Sequence, residues 1–86
     1  MNHKPILMYS RSGCPYCLAA RGLLSARQAA WTEVSLDAEP HRRDEMIART
    51  GRRTVPQVFI GDLHVGGYDD LHALDQSGQL DRLLGD

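Results

Sequence analysis

Residues 5–17 read Pro-Ile-Leu-Met-Tyr-Ser-Arg-Ser-Gly-Cys-Pro-Tyr-Cys, and the order of chemistries along them decides the fold class. The apolar run Pro5 to Tyr9 has the length of a buried strand, and the polar Ser10-Arg-Ser-Gly13 ends it in a loop. Pro15 then stands where helices favour proline, in a first turn whose N–H groups have no carbonyl to meet. A strand that runs through a short polar loop into a helix N-terminus is the opening half of a βαβ unit.

Working outward, Pro15 to about Ala29 is rich in helix formers, with Leu18, Ala20 and Leu24 read as one apolar face and Gly22 as a weak point. Thr32, Val34 and Leu36 alternate in a second strand closed by Asp37 and Pro40. His41 to Thr50 is a charged helix with Met46 and Ile47 on its inner side, and Gly51 holds the C-cap position. Gln57 to Ile60 and Leu63 to Val65 flank Gly61-Asp62 as a hairpin, which Gly66-Gly67 ends. Tyr68 to Ser77 and Leu80 to Leu84 complete the chain as short helices, with Asp69 and Asp70 in a first turn where the helix dipole favours acids. The sum is an α/β fold: one four-stranded mixed sheet, a parallel βαβ unit joined to an antiparallel pair, with helices on both faces, expected as a single domain over 1–86.

Composition narrows the function. Ten basic and eleven acidic residues give a formal charge of −1, so general attraction to nucleic acid or anionic membrane is not built in. Charge is unevenly placed: Arg42, Arg43, Arg49, Arg52 and Arg53 cluster in mid-chain, and six Asp lie beyond residue 61. The arginines alternate with acids and lack interleaved aromatics, which describes a solvated helix face rather than a nucleic-acid surface. The apolar run near the N-terminus is too short for a signal-peptide core or a membrane span, which reads as a cytoplasmic protein.

Two cysteines three positions apart cannot form the framework that staples small secreted domains. Cys14 falls at the helix N-cap, where free N–H groups and the dipole stabilise a thiolate and lower a cysteine pKa from about 8.5 into the range of about 3.5 to 7.5. Cys17 lies one turn along the same face, deeper in the helix and within disulfide reach. Arg11 adds positive potential or holds an anionic substrate. A zinc site would need partners that the chain lacks: no second cysteine pair exists, and His3, His41, His64 and His72 include no pair three to five apart. No bound metal is therefore expected, and the pair reads as redox chemistry.

Cys14-Pro15-Tyr16-Cys17, Thr54-Val55-Pro56 and Gly66-Gly67-Tyr68-Asp69-Asp70 together resemble the glutaredoxin family along nearly the whole chain. The resemblance implies a thioredoxin-like fold and a cis Val55–Pro56 bond, where the residues alone would suggest an ordinary trans proline. It implies that the Thr54-Val55-Pro56 backbone offers glutathione a strand edge beside Cys14. The γ-glutamyl carboxylate would meet the N–H groups of Tyr68 and Asp69, the Asp69 carboxylate would take the ammonium, and Gly67 would permit close approach. Arg11, helped by Arg52 or Arg53, would hold the glycine carboxylate, and Tyr16 would pack beside the mixed disulfide. The chain departs from the family pattern in three places: Arg11 stands where Lys is usual, Tyr68 where Cys is frequent, and no Gly stops the first helix at Gln28-Ala29-Ala30.

The expected function is glutathione-dependent thiol-disulfide exchange on protein–glutathione mixed disulfides and protein disulfides, with glutathione as co-substrate and no tightly bound cofactor. Ribonucleotide reductase is one candidate among the disulfide-containing partners. Two other readings stay open: an electron donor served by thioredoxin reductase, and a carrier in which two chains and two glutathiones share an iron–sulfur cluster through Cys14. The acidic residue after Gly66-Gly67 speaks against the first. The stiff, bulky Pro15-Tyr16 loop speaks against the second and for a monomer.

Overall fold

The computed structural model describes residues 4–85. His3 and the two ends of the expected 1–86 domain lie outside them. The elements are β1 (Ile6–Ser10), α1 (Pro15–Ala26), β2 (Thr32–Ser35), a single 3-10 turn (Pro40–Arg42), α2 (Arg43–Thr50), β3 (Gln57–Ile60), β4 (Leu63–Gly66), α3 (Tyr68–Gln76) and α4 (Gln79–Leu83). The sheet runs β2-β1-β3-β4. β1 pairs parallel with β2 and antiparallel with β3, and β3 pairs antiparallel with β4. This is the mixed four-stranded sheet with helices on both faces that the sequence predicts.

Alternation along the strands divides the core in two, because successive side chains leave opposite faces. Ile6, Met8, Val58 and Ile60 point to one face, where Ala20 and Leu24 of α1, Leu71 of α3 and Leu80 of α4 cover them. Tyr9, Val34, Leu36 and Phe59 occupy the other, closed by Met46 of α2. Among the described residues no helix is long and apolar enough to cross a membrane.

Three local expectations are corrected. Ser10 is the last residue of β1 rather than the first of the loop, fully buried, and its hydroxyl donates to Glu33 Oε2 at 2.5 Å. A hydroxyl tolerates such a position only with a partner of this kind. α1 stops at Ala26 rather than near Ala29: Gln28 takes a left-handed φ of 57°, and the Ala29 N–H donates back to the Leu24 carbonyl at 3.0 Å. That is the Schellman ending usually given to glycine, made here by glutamine at a cost of roughly 1 kcal/mol.

Leu18 does not share the face of Ala20 and Leu24; it is 67% exposed. At about 100° per residue it stands some 160° from Ala20 and 120° from Leu24, and the inward face is completed by Cys17 instead. The fold itself also demands glycine at position 66. Gly66 has a φ of 119°, and a Cβ there would lie 2.3 Å from Asp70 Oδ2, whereas one on Gly67 would meet only ordinary contact with the Pro56 carbonyl at 3.5 Å.

Candidate active site

The site gathers where β1 ends and α1, β3 and α3 begin. Cys14 is the N-cap of α1, with extended backbone (φ −101°, ψ 112°), and Pro15 opens the helix. Its Sγ accepts from the Cys17 N–H at 3.3 Å, and its thiol faces the Val55 carbonyl at 3.8 Å. Val55–Pro56 is cis. The two cysteines are free thiols, Cys14 partly accessible and Cys17 fully buried.

Their acidities diverge for physical reasons. For Cys14 the largest single influence is burial, which pushes the thiol up. Hydrogen bonding from the Cys17 side chain, from the Cys17 and Tyr16 backbone, and the charge of Arg11 together outweigh it, so its pKa is lowered. Burial acts on Cys17 with less opposition and, with its hydrogen bond to Cys14, pushes it up to about 11. One thiol of the pair is thus prepared as a nucleophile and the other held protonated. Alkylation by iodoacetamide is therefore expected at Cys14 alone near neutral pH, its rate levelling off below the ordinary thiol range. Peptide mapping of the modified cysteine against pH checks this, and modification of Cys17 at the same rate would contradict the assigned acidities.

Beside the cysteines runs a groove of about 300 Å³ walled by Tyr16, Thr54, Val55, Pro56, Gly67, Tyr68 and Asp69, together with Arg52 and Asp70. The Tyr16 and Tyr68 rings face one another at 6.3 Å between centroids, and His72 stacks behind Tyr68 at 5.7 Å. At the groove's α3 end, the first-turn N–H groups of Tyr68 and Asp69 have no helical carbonyl to meet. Arg11 is not in this groove. It lines an adjoining cavity of about 360 Å³ with Arg43 and Arg53, and the two spaces share Thr54 and Val55.

Beneath the groove a buried chain of hydrogen bonds secures its floor. Gln57, fully buried, donates through Nε2 to the Thr54 carbonyl at 3.0 Å, and His64 Nε2 meets Gln57 Oε1 at 2.7 Å. An amide oxygen can only accept, so His64 Nε2 carries the proton. Gln57 thereby staples the loop across Val55 and Pro56 to the sheet.

Arg52 and Arg53, equivalent in the sequence, are separated by the structure. Arg52 Nη1 pairs with Asp70 Oδ2 at 3.0 Å, and the same carboxylate accepts from the Gly67 N–H at 3.0 Å. The Asp70 pKa is lowered, first by Arg52 and then by that N–H. It is thus occupied as a cap at the third position of α3, and the spacing from Gly67 was the signal for it. Other mid-chain arginines are similarly engaged: Arg42 with Glu45 at 2.9 Å, and Arg49 over the Phe59 ring at 4.1 Å. Among the described residues, no three His, Cys, Asp or Glu side chains gather as metal ligands.

A family model described as Glutaredoxin matches residues 6–65. The chain is 45% identical over 80 residues to a glutaredoxin of Pseudomonas aeruginosa, covering 93% of this chain and 95% of that one. It is 49% identical over 77 residues to glutaredoxin 3 of Escherichia coli, covering 90% and 93%. Among solved structures it resembles the glutaredoxin of Brucella melitensis, with a TM-score of 0.85, 48% identity and coverage of 98% and 91%. It also resembles a buckwheat glutaredoxin–glutathione complex, with a TM-score of 0.88, 32% identity and coverage of 94% and 76%.

Proposed function

This chain belongs to the glutaredoxin family of glutathione-dependent thiol-disulfide oxidoreductases, and from that premise we propose that it reduces protein–glutathione mixed disulfides, and protein disulfides, through Cys14 and Cys17. The observation that carries the reading is the place of Cys14: a thiol of lowered pKa at a helix N-cap, 3.8 Å from a backbone carbonyl that edges a peptide-sized groove.

Glutathione lies along that groove as an added strand, its cysteine main chain against Val55. Its γ-glutamyl carboxylate takes the N–H groups of Tyr68 and Asp69 at the positive end of α3. Asp70 is engaged by Arg52 and Gly67, which leaves the Asp69 carboxylate for the ammonium. The glycine carboxylate reaches Arg11, with Arg53 rather than Arg52 as the second cation, because Arg53 lines the same cavity as Arg11. Tyr16 covers the sulfurs.

Cys14 thiolate attacks the glutathione sulfur of the mixed disulfide. The sulfur–sulfur bond to the protein breaks, the protein leaves as a thiolate that takes a proton from water, and Cys14 is left bonded to glutathione. A second glutathione then displaces the first as glutathione disulfide. The test follows NADPH consumption with glutathione and glutathione reductase on the mixed disulfide of glutathione and 2-mercaptoethanol. Turnover that requires glutathione is expected. Reduction of the oxidised protein by thioredoxin reductase alone, with no glutathione-dependent turnover, would overturn the assignment.

A further inference from the structure

Large apolar side chains are well exposed at three places among the described residues: Tyr16 at 60%, Leu18 at 67% and Leu63 at 46%. Single exposed apolar residues need no explanation. Two set on either flank of the redox helix, one beside each face of the Cys14–Cys17 turn, do. Tyr16 and Leu18 are two positions apart on α1, about 200° around its axis, so they stand on opposite flanks of the inward-pointing Cys17.

The surface follows this division. Tyr16 walls the groove already described, whereas Leu18 lines a separate, open cavity of about 360 Å³ with Gly13, Cys14, Pro15 and Arg21. The two share no residue, yet Cys14 lies in the wall of the second. Arg21, the one charge there, is spent: its guanidinium forks onto Glu33, Nε at 3.0 Å and Nη2 at 2.6 Å from Oε2, and Glu33 is held at about 2, first by Arg21 and then, against some burial, by Ser10 and Trp31. What remains accessible in this cavity is mostly apolar.

We propose that this second cavity receives an apolar side chain next to the disulfide cysteine of a protein substrate, and that Leu18 is a specificity-determining residue for the protein half of the mixed disulfide while the Tyr16 groove holds the glutathione half. The occupant is a segment of a substrate protein because the cavity is continuous with the reacting sulfur: a chain that brings its disulfide to Cys14 passes over it. This inference rests on the exchange reaction proposed above, whose bond changes it leaves as they are.

Two glutathionylated decapeptides that differ only beside the cysteine, one with Leu and one with Asp, test it alongside the small 2-mercaptoethanol mixed disulfide. The wild-type protein is expected to prefer the Leu peptide in kcat/KM by about fivefold, the worth of a partly buried aliphatic contact. Leu18→Lys is expected to reverse that order and favour the Asp peptide, a reversal that loss of folding cannot produce. Equal rates on the two peptides with wild type, or an unchanged Leu preference in Leu18→Lys, would overturn the inference while activity on the small disulfide left the exchange reaction standing. Absence of activity on the small disulfide would instead remove the reaction itself.

Discussion

Cys14→Ser is expected to abolish glutathione-dependent turnover, by at least about a thousandfold, while leaving the protein folded. The size of the loss follows from the chemistry. Exchange requires a sulfur anion, and a serine hydroxyl at the same place neither ionises near neutral pH nor forms a bond to sulfur that glutathione could break. The fold survives for a local reason. Position 14 is the N-cap of α1, its side chain accepting from the Cys17 N–H, and serine is among the residues best suited to that task. Thermal unfolding of the variant within a few degrees of wild type, together with no NADPH consumption in the coupled assay, is the expected pair of results. Activity above about one per cent of wild type in a folded Cys14→Ser protein would place the nucleophile elsewhere.

Why Cys14 was legible in the sequence, and much around it was not, follows from the range of the interactions involved. The N-cap, Pro15, the Gly51 cap at φ 70° and the Gly61 turn at φ 58° answer to rules that act over three or four residues, so they can be read in order along the chain. The sheet follows from element order and alternation. Leu18 faces outward although it is apolar, because its spacing from Leu24 places it on another flank of α1. Gln28 shows the reverse case: no local preference suggests a left-handed glutamine, and the Ala29–Leu24 hydrogen bond holds it there.

The remaining surprises are long-range. Ser10 can be buried because its hydroxyl donates a hydrogen bond to Glu33 on the neighbouring strand, and Arg52 leaves Arg53's company because Asp70, eighteen residues on, claims it. Gly66, by contrast, answers to a carboxylate only four residues on, Asp70, which the first turn of α3 sets above it. The cis bond at Val55–Pro56 came from family resemblance, since the residues alone favour trans. For Ser10 and Arg52 the deciding partner is set by topology rather than by neighbours in sequence.

Cys17→Ser is expected to separate the two reactions: turnover of glutathione mixed disulfides persists within about threefold of wild type, while reduction of a protein disulfide falls by at least about a hundredfold. The division follows from what keeps Cys17 inactive. Burial comes first among the causes that push it up to about 11, but hydrogen bonding and repulsion from the Cys14 thiolate add to it. Those two contributions exist only while Cys14 carries its charge. When Cys14 becomes bonded to a substrate sulfur the negative charge is gone, Cys17 no longer shares its proton with a neighbouring anion, and its own ionisation becomes easier. The resolving thiol is thus released by the first step it must follow. Glutathione can regenerate Cys14 from a small mixed disulfide without that help, but a bulky protein bonded to Cys14 shields the sulfur from external thiols, and only Cys17 attacks from within. Incubation of Cys17→Ser with a disulfide-bonded protein, run on a non-reducing gel, should therefore show an accumulated covalent complex that wild type does not retain. Equal loss of both activities would mean that Cys17 serves chiefly to hold Cys14 in its ionised state through their shared hydrogen bond.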